Sequence, residues 1–169
     1  MDTIALLRAV NVGGTGKLPM SELKAMAEQL GLANARTYIA SGNLLFDAAG
    51  LTEAAVKARL EKRLAEYAGK PVGVLVRSAA EMAGVVADNP FASEPGNRVV
   101  AIFLDEAPPR SALSNHKGLA DERIALGRRE IYVHYPAGQG TSQLTIPAAK
   151  AGTARNMNTV MKLAELAGN

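Results

Sequence analysis

The sequence contains no cysteine and no tryptophan, and it has only two histidines. Without cysteine, the chain forms no disulfide and offers no thiolate to a metal ion or a substrate. His116 and His134 are too far apart in the sequence to match the ligand spacing of a zinc site, so no metal site is predicted. With four tyrosines and three phenylalanines in 169 residues, aromatic surfaces for stacking against nucleic-acid bases are scarce.

Long apolar runs are also missing. The apolar run at residues 4–7 stops at Arg8, and it follows the acidic start Met1-Asp2-Thr3. A signal peptide has a basic start and a longer apolar segment, and a membrane span needs about 20 apolar residues. We therefore expect a cytoplasmic protein that does not associate with membranes.

The charge is modest and dispersed. A net charge of +3 results from 19 basic and 16 acidic residues. The densest basic run, at residues 57–63, is interrupted by Glu61 and is typical of the exposed face of a helix. The adjacent pairs Asp105-Glu106 and Asp121-Glu122 are interpreted as solubilising residues at strand ends, because neighbours on a strand point to opposite faces.

Short apolar strands and amphipathic helices occur twice in the same order. In the first run, Pro19 opens a helix and Gly31 stops it, and Ser78 and Glu81 have the spacing of a capping box. The helix at 52–68 carries Val56, Leu60, Leu64 and Tyr67 on one apolar face. The other predicted elements of this run are strands at 4–10 and 72–76 and a hairpin at 36–40 and 44–47.

The second run begins with an apolar strand at 99–104. It continues with a short helix after Pro109, a hairpin at 123–126 and 131–135, a weak helix at 142–150 that contains Pro147, and a final helix at 156–167. The sequence therefore predicts an α+β protein of two tandem ferredoxin-like (split βαβ) halves packed as one compact protein. The predicted limits are 1–91 for the first half, 92–98 for a linker and 99–169 for the second half.

A glycine-rich loop follows the first strand. The segment Val12-Gly13-Gly14-Thr15-Gly16-Lys17 lies between a strand and a helix, where backbone amides can hold a phosphate. It matches neither the P-loop, which would need Gly at position 11 and Ser or Thr at 18, nor the Rossmann fingerprint. A plain glycine turn is favoured, and an anion-binding loop is the alternative, supported by the cationic side chain of Arg8 at the strand end.

Two further polar segments are candidate binding sites. Ser41-Gly42-Asn43 has the composition of a tight turn, and residues 153–159 place polar groups at a helix start, where caps and anions both occur. The hypothesis that unites them is a cleft between the halves that binds a small anionic ligand such as a nucleotide or phosphoester. Its candidate residues are Arg8, Asn11, Gly13, Gly14, Lys17, Ser41, Asn43, Arg155, Asn156 and Asn158.

Three segments resemble one bacterial family, catalogued as domain of unknown function 1697. They are the opening residues 4–14, the segment 36–46 and the closing segment 154–163. The resemblance implies a pair of ferredoxin-like halves and no established activity. Ala9 stands where the family usually has Gly, Met157 where Trp is common, and Gln143 where Lys is usual.

The alternative to small-anion binding is a nucleic-acid or protein interaction module without catalysis, because ferredoxin-like units include the RNA-binding RRM. Against it, the strand at 4–10 has no aromatic residue and the strand at 44–47 has only Phe46. A third reading gives the polar motifs only a structural role in tying the halves together. No serine-hydrolase, β-lactamase or zinc-protease motif is present, and no general base, cofactor or oligomeric state is predicted.

Overall fold

A computed structural model describes residues 1–11 and 17–168. In this part of the chain, eight strands form two four-stranded antiparallel sheets, and four α-helices accompany them. The strands are β1 (Thr3–Leu7), β2 (Ala33–Thr37), β3 (Asn43–Asp47), β4 (Val74–Ser78), β5 (Val99–Phe103), β6 (Arg123–Leu126), β7 (Glu130–His134) and β8 (Thr153–Asn156). The helices are α1 (Met20–Gln29), α2 (Glu53–Ala68), α3 (Ala79–Ala87) and α4 (Met157–Ala167). The protein therefore has a mixed α and β fold.

The chain divides into two compact units. Unit 1 comprises Met1–Met82 and Leu163–Asn169, and unit 2 comprises Ala83–Lys162. The sheet of unit 1 has the strand order β2-β3-β1-β4, and the sheet of unit 2 has the order β6-β7-β5-β8. In both sheets, the strand that comes first in the sequence is central and has an antiparallel neighbour on each side.

The core of unit 1 is formed by one face of its sheet together with α1 and α2. Alternate residues of β1 and β3 enter this core, as the two-residue period of a strand requires. The helices contribute apolar residues three or four positions apart. The principal members are Ala5, Leu7, Leu44, Phe46, Leu23, Met26, Val56, Leu60 and Leu64.

The helix ends are set by the residues that the sequence indicates. Pro19 precedes α1, and the Thr52 hydroxyl accepts a hydrogen bond from the Ala55 N–H at the start of α2. The capping box before α3 is confirmed: the Ser78 N–H donates to Glu81 Oε1 at 2.8 Å and the Glu81 N–H donates to Ser78 Oγ at 3.0 Å. None of the helices in the described residues is both long and apolar enough to cross a membrane.

In unit 2, short turns occur in the connections where unit 1 has its two long helices. Its core joins one face of the sheet, including Val100, Ile131 and Val133, to residues of these connections. The segment after Pro109 is a 3-10 helix, Arg110–Leu113. The prediction of a helix at 142–150 is wrong. Thr145 forms a backbone bridge with Lys117, with N···O distances of 2.9 and 2.8 Å. This bridge holds the chain extended up to a 3-10 turn at Pro147–Ala149.

Candidate functional site

A surface cavity of about 410 Å³ lies at the end of β1, entirely within unit 1. Three cationic side chains line it, those of Arg8, Lys17 and Lys70, together with an apolar wall that includes Tyr67 and Pro71. No Asp or Glu is among the described residues that line it. We call this site the cationic cavity. The charged side chains among its described lining residues are therefore all cationic, which favours an anion in the cavity.

Strand pairing places Arg8 in this cavity. β1 and β4 are antiparallel with Leu7 opposite Val74, so the residue after β1 lies beside the residue before β4. The Arg8 N–H donates to the Gly73 carbonyl at 2.9 Å. A methyl group on Gly73 would lie 3.6 Å from both Cβ and Cδ of Arg8, so the Arg8 side chain passes directly over this glycine.

The end of α2 supplies Tyr67 and Lys70. Gly69 ends this helix with a left-handed backbone at φ 71°, and its N–H donates to the Ala65 carbonyl at 2.9 Å. The four residues that follow connect α2 to β4 along the cavity wall. Tyr67, placed by the sequence on the apolar face of the helix, is 42% exposed and lines the cavity instead of the core.

Asn11 fixes the backbone beside Lys17. Its Oδ1 accepts a hydrogen bond from the Leu18 N–H at 2.6 Å, and its Nδ2 donates to the carbonyls of Leu18 and Ala40, both at 2.8 Å. These bonds hold Leu18 close to the end of β1 and close to the β2–β3 hairpin. Asn11 therefore positions the cavity wall, and its amide groups are already used within the protein.

Ser41 and Asn43 have a similar structural role in the turn between β2 and β3. The Asn43 side chain is fully buried, and its Nδ2 donates to the Tyr38 carbonyl at 2.8 Å and to Ser41 Oγ at 3.0 Å. Neither residue is among those that line the cationic cavity. Their contacts support the interpretation of this segment as a tight turn.

The three candidates at the end of the chain belong to unit 2. Arg155 is buried on β8 and donates from Nη1 to Thr153 Oγ1 at 2.8 Å and to the Ala154 carbonyl at 2.9 Å. Burial lowers the pKa of Arg155 to about 10, so its guanidinium remains charged at neutral pH. Asn156 Oδ1 accepts the Thr159 N–H at 3.0 Å as a cap of α4, and Asn158 packs against Gly96.

The structure thus brings Arg8 and Lys17 together and adds Lys70 and Tyr67, which the sequence analysis did not select. Gly13, Gly14 and most of the glycine-rich loop lie outside the described residues. The sequence feature that could have indicated Lys70 is its position directly after the glycine that ends a helix. The proximity of Lys70 to Arg8, however, depends on the pairing of β1 with β4. The assembled groups are suited to holding an anion.

Comparison with solved structures shows the same fold in another protein. The conserved bacterial protein SP0830 from Streptococcus pneumoniae superposes with a TM-score of 0.81 and 23% sequence identity, covering 98% of each chain. No curated protein matches the sequence. The profile of the family described as protein of unknown function (DUF1697) matches residues 1–132, which include the cationic cavity and its three cations. The chain therefore belongs to this family, as the sequence resemblance indicated, and the segments 4–14 and 36–46 lie within the matched residues.

Proposed function

We propose that the protein binds a small anionic ligand, a nucleotide or another phosphoester, in the cationic cavity of unit 1. One observation carries the proposal: Arg8, Lys17 and Lys70 surround a cavity of about 410 Å³ whose described lining contains no carboxylate. Like charges repel one another, and a bound anion would offset this repulsion. A guanidinium and two ammonium groups are also the donors that proteins use most often for phosphate oxygens.

The shape and polarity of the cavity suit a ligand that has an uncharged part as well. Its volume is within the range of pockets that hold small organic molecules. Leu64, Tyr67, Pro71 and Val72 form an apolar surface next to the cations. A base or sugar could contact this surface while its phosphate pairs with the cations, and the half-exposed ring of Tyr67 would be available for stacking.

We also propose that each sheet belongs to a ferredoxin-like unit and that the two units arose by duplication. The equivalent strand orders β2-β3-β1-β4 and β6-β7-β5-β8, with antiparallel pairing throughout, support this assignment. RNA recognition by such a unit normally depends on aromatic side chains exposed on the central strands. Phe46 on β3 is fully buried and β1 has no aromatic residue, so small-ligand binding is the function that the geometry supports better.

The test is a calorimetric and thermal-shift titration of the protein with inorganic phosphate, nucleoside monophosphates and sugar phosphates at constant ionic strength. A ligand at about 100 times its Kd should raise the unfolding free energy by roughly 2.7 kcal/mol. Binding should be lost in the double variant Arg8→Gln, Lys70→Gln. Lys24→Gln is the matched control, because Lys24 is an exposed unit 1 lysine that pairs with Glu28 on α1 at 3.3 Å.

Two results would contradict the proposal. One is the absence of any stabilisation by the anions while the protein is folded. The other is binding that survives in the double variant, or that falls equally in Lys24→Gln, because the response would then come from general charge screening and not from the cavity.

A further inference from the structure

Unit 2 contains a cavity of opposite character. It has a volume of about 520 Å³ and is lined by Asp121, Glu122, Tyr135 and Ser142, among others. No Lys or Arg is among its described lining residues. We call it the acidic cavity. The Arg98 guanidinium is near Gly138 on the rim and donates to the Pro136 carbonyl at 3.5 Å, but Arg98 does not line the cavity.

Glu122 is a buried carboxylate in this cavity. The side chain is 8% exposed, and the interpretation of Glu122 as a solubilising residue is wrong. Its Oε1 accepts the Ala120 N–H at 2.7 Å, and its Oε2 accepts the Ser142 hydroxyl. These bonds hold the pKa of Glu122 below its usual value, and the bond from Ser142 has the largest effect on it. Within the described residues, Glu122 has no ion-pair partner, although buried charges are normally paired.

Tyr135 is the second, independent observation. It is 6% exposed, yet its hydroxyl has no hydrogen-bond partner in the described residues. The hydroxyl of Tyr132 in the same unit, by contrast, donates to the Val85 carbonyl at 2.7 Å. Every described side-chain N or O atom that is fully shielded from solvent has a partner, so the Tyr135 hydroxyl must reach open space. Burial and, to a lesser extent, the charge of Glu122 raise the pKa of Tyr135, so the phenol stays protonated. The second cause also means that the phenol interacts electrostatically with Glu122.

We propose that the acidic cavity binds a small organic cation of the primary ammonium class, whose N–H groups donate to Glu122 and to the Tyr135 hydroxyl oxygen. The ring of Tyr135 adds a surface for cation–π contact. A metal ion fits this donor set less well, because no group of three or more His, Asp or Glu able to hold a metal occurs in the described residues.

A neighbouring cavity indicates what the rest of the ligand would be. It has a volume of about 580 Å³ and shares Tyr135 with the acidic cavity. Its lining is mainly apolar and includes Ile102, Leu144 and Ile146, with Thr145 and Lys150 as its other polar residues. An ammonium group at Glu122 with a short carbon chain directed past Tyr135 would extend from the acidic cavity into this neighbouring one. This site is independent of the anion site proposed for unit 1.

The experiment is a calorimetric titration of the whole protein with n-butylammonium chloride, with n-butanol and tetramethylammonium chloride as probes that lack the charge or the N–H donors. We expect binding of butylammonium alone. Glu122→Gln should weaken it by about tenfold or more, since a charge-assisted hydrogen bond is lost. Tyr135→Phe should weaken it by about threefold to tenfold with no change in Tm, because no hydrogen bond within the described protein is lost.

Tyr132→Phe is the matched control for this experiment. It removes a hydroxyl that the protein does use, so it should lower Tm and leave butylammonium binding unchanged. The proposal is overturned if the folded wild-type protein does not bind butylammonium, or if butanol binds equally well. It also fails if Tyr135→Phe lowers Tm as much as Tyr132→Phe does, because the Tyr135 hydroxyl would then have a structural role.

Discussion

The cationic cavity of unit 1 and the acidic cavity of unit 2 belong to sheets with equivalent strand orders, yet charges of opposite sign line them. In both, the charged residues lie in segments that connect or follow strands. Arg8 follows β1, Lys70 precedes β4, and Glu122 precedes β6. The strands themselves supply mainly buried apolar residues. The shared topology therefore accounts for packing, and the connections determine which ligand each unit could attract.

The two units also differ in how many of their residues have a left-handed backbone. Among the described residues of unit 1, five residues other than glycine have positive φ: Ala9, Asn11, Asn34, Ile39 and Ala49. In unit 2, which is fully described, only glycines do. Two of the five, Ala9 and Asn11, follow the end of β1, and Ala9 lines the cationic cavity. In the described residues, left-handed backbones outside glycine are therefore confined to the unit that carries the cationic cavity, and Ala9, Ile39 and Ala49 are the strained ones, because Asn tolerates this region.

The largest expected effect distinguishes two arginines that the sequence analysis placed in one site. Arg155→Met should destabilise the protein by about 3 kcal/mol, because Thr153 Oγ1 and the Ala154 carbonyl lose a charged donor in a buried position. Arg8→Met should change stability by no more than about 0.5 kcal/mol, since Arg8 is exposed. Urea denaturation measures both. A large loss for Arg8 with a small loss for Arg155 would reverse the structural and binding roles assigned here.

The sequence predicted the elements of the fold well where local signals agree. Capping residues and apolar spacing placed α1, α2 and α4 close to their observed limits, and the capping box marked the start of α3. The first strand was predicted to reach residue 10 but ends at Leu7, because the left-handed backbones of Ala9 and Asn11 cannot continue a strand. The helix predicted at 142–150 failed because a distant backbone bridge, from Lys117 to Thr145, is invisible to local periodicity.

The sequence predicted the candidate sites less completely, because they depend on tertiary contacts. Arg8 and Lys17 were selected from their position after a strand, but the contribution of Lys70 depends on the β1–β4 register. The pair Asp121-Glu122 looked like a surface feature because neighbouring residues gave no sign that Ser142, 20 positions away, would satisfy the Glu122 carboxylate. Asn11 and Asn43 were chosen for their polarity, which the protein uses for its own backbone.

A smaller effect, confined to acidic pH, tests the acidic cavity. The folded pKa of Glu122 lies below its ordinary value of 4.5, so this carboxylate contributes stability that is fully present above pH 4.5 and is lost as pH falls through the folded value. Unfolding free energies measured between pH 2 and pH 7 should therefore fall less steeply with acid in Glu122→Gln than in the wild type. Ser142→Ala should flatten the curve in part. An unchanged slope in both variants would show that this carboxylate is not stabilised by the fold.

The smallest effect concerns Ala9, whose backbone has a left-handed φ of 55°. An alanine in this region carries a steric cost of roughly 1–2 kcal/mol, whereas glycine avoids it but loses about 0.5–1 kcal/mol of chain entropy on folding. Ala9→Gly should therefore stabilise the protein by about 0.5–1 kcal/mol, measured as a rise in the urea midpoint at constant slope. Ala49→Gly, with φ 54° and outside the cationic cavity, is the control for the backbone contribution and should give a similar gain in stability.

If Ala9→Gly also weakens phosphate binding while Ala49→Gly does not, the strained backbone at Ala9 holds Arg8 in its binding position. Equal binding in both variants would mean that the strain is only a cost of turning the chain out of β1.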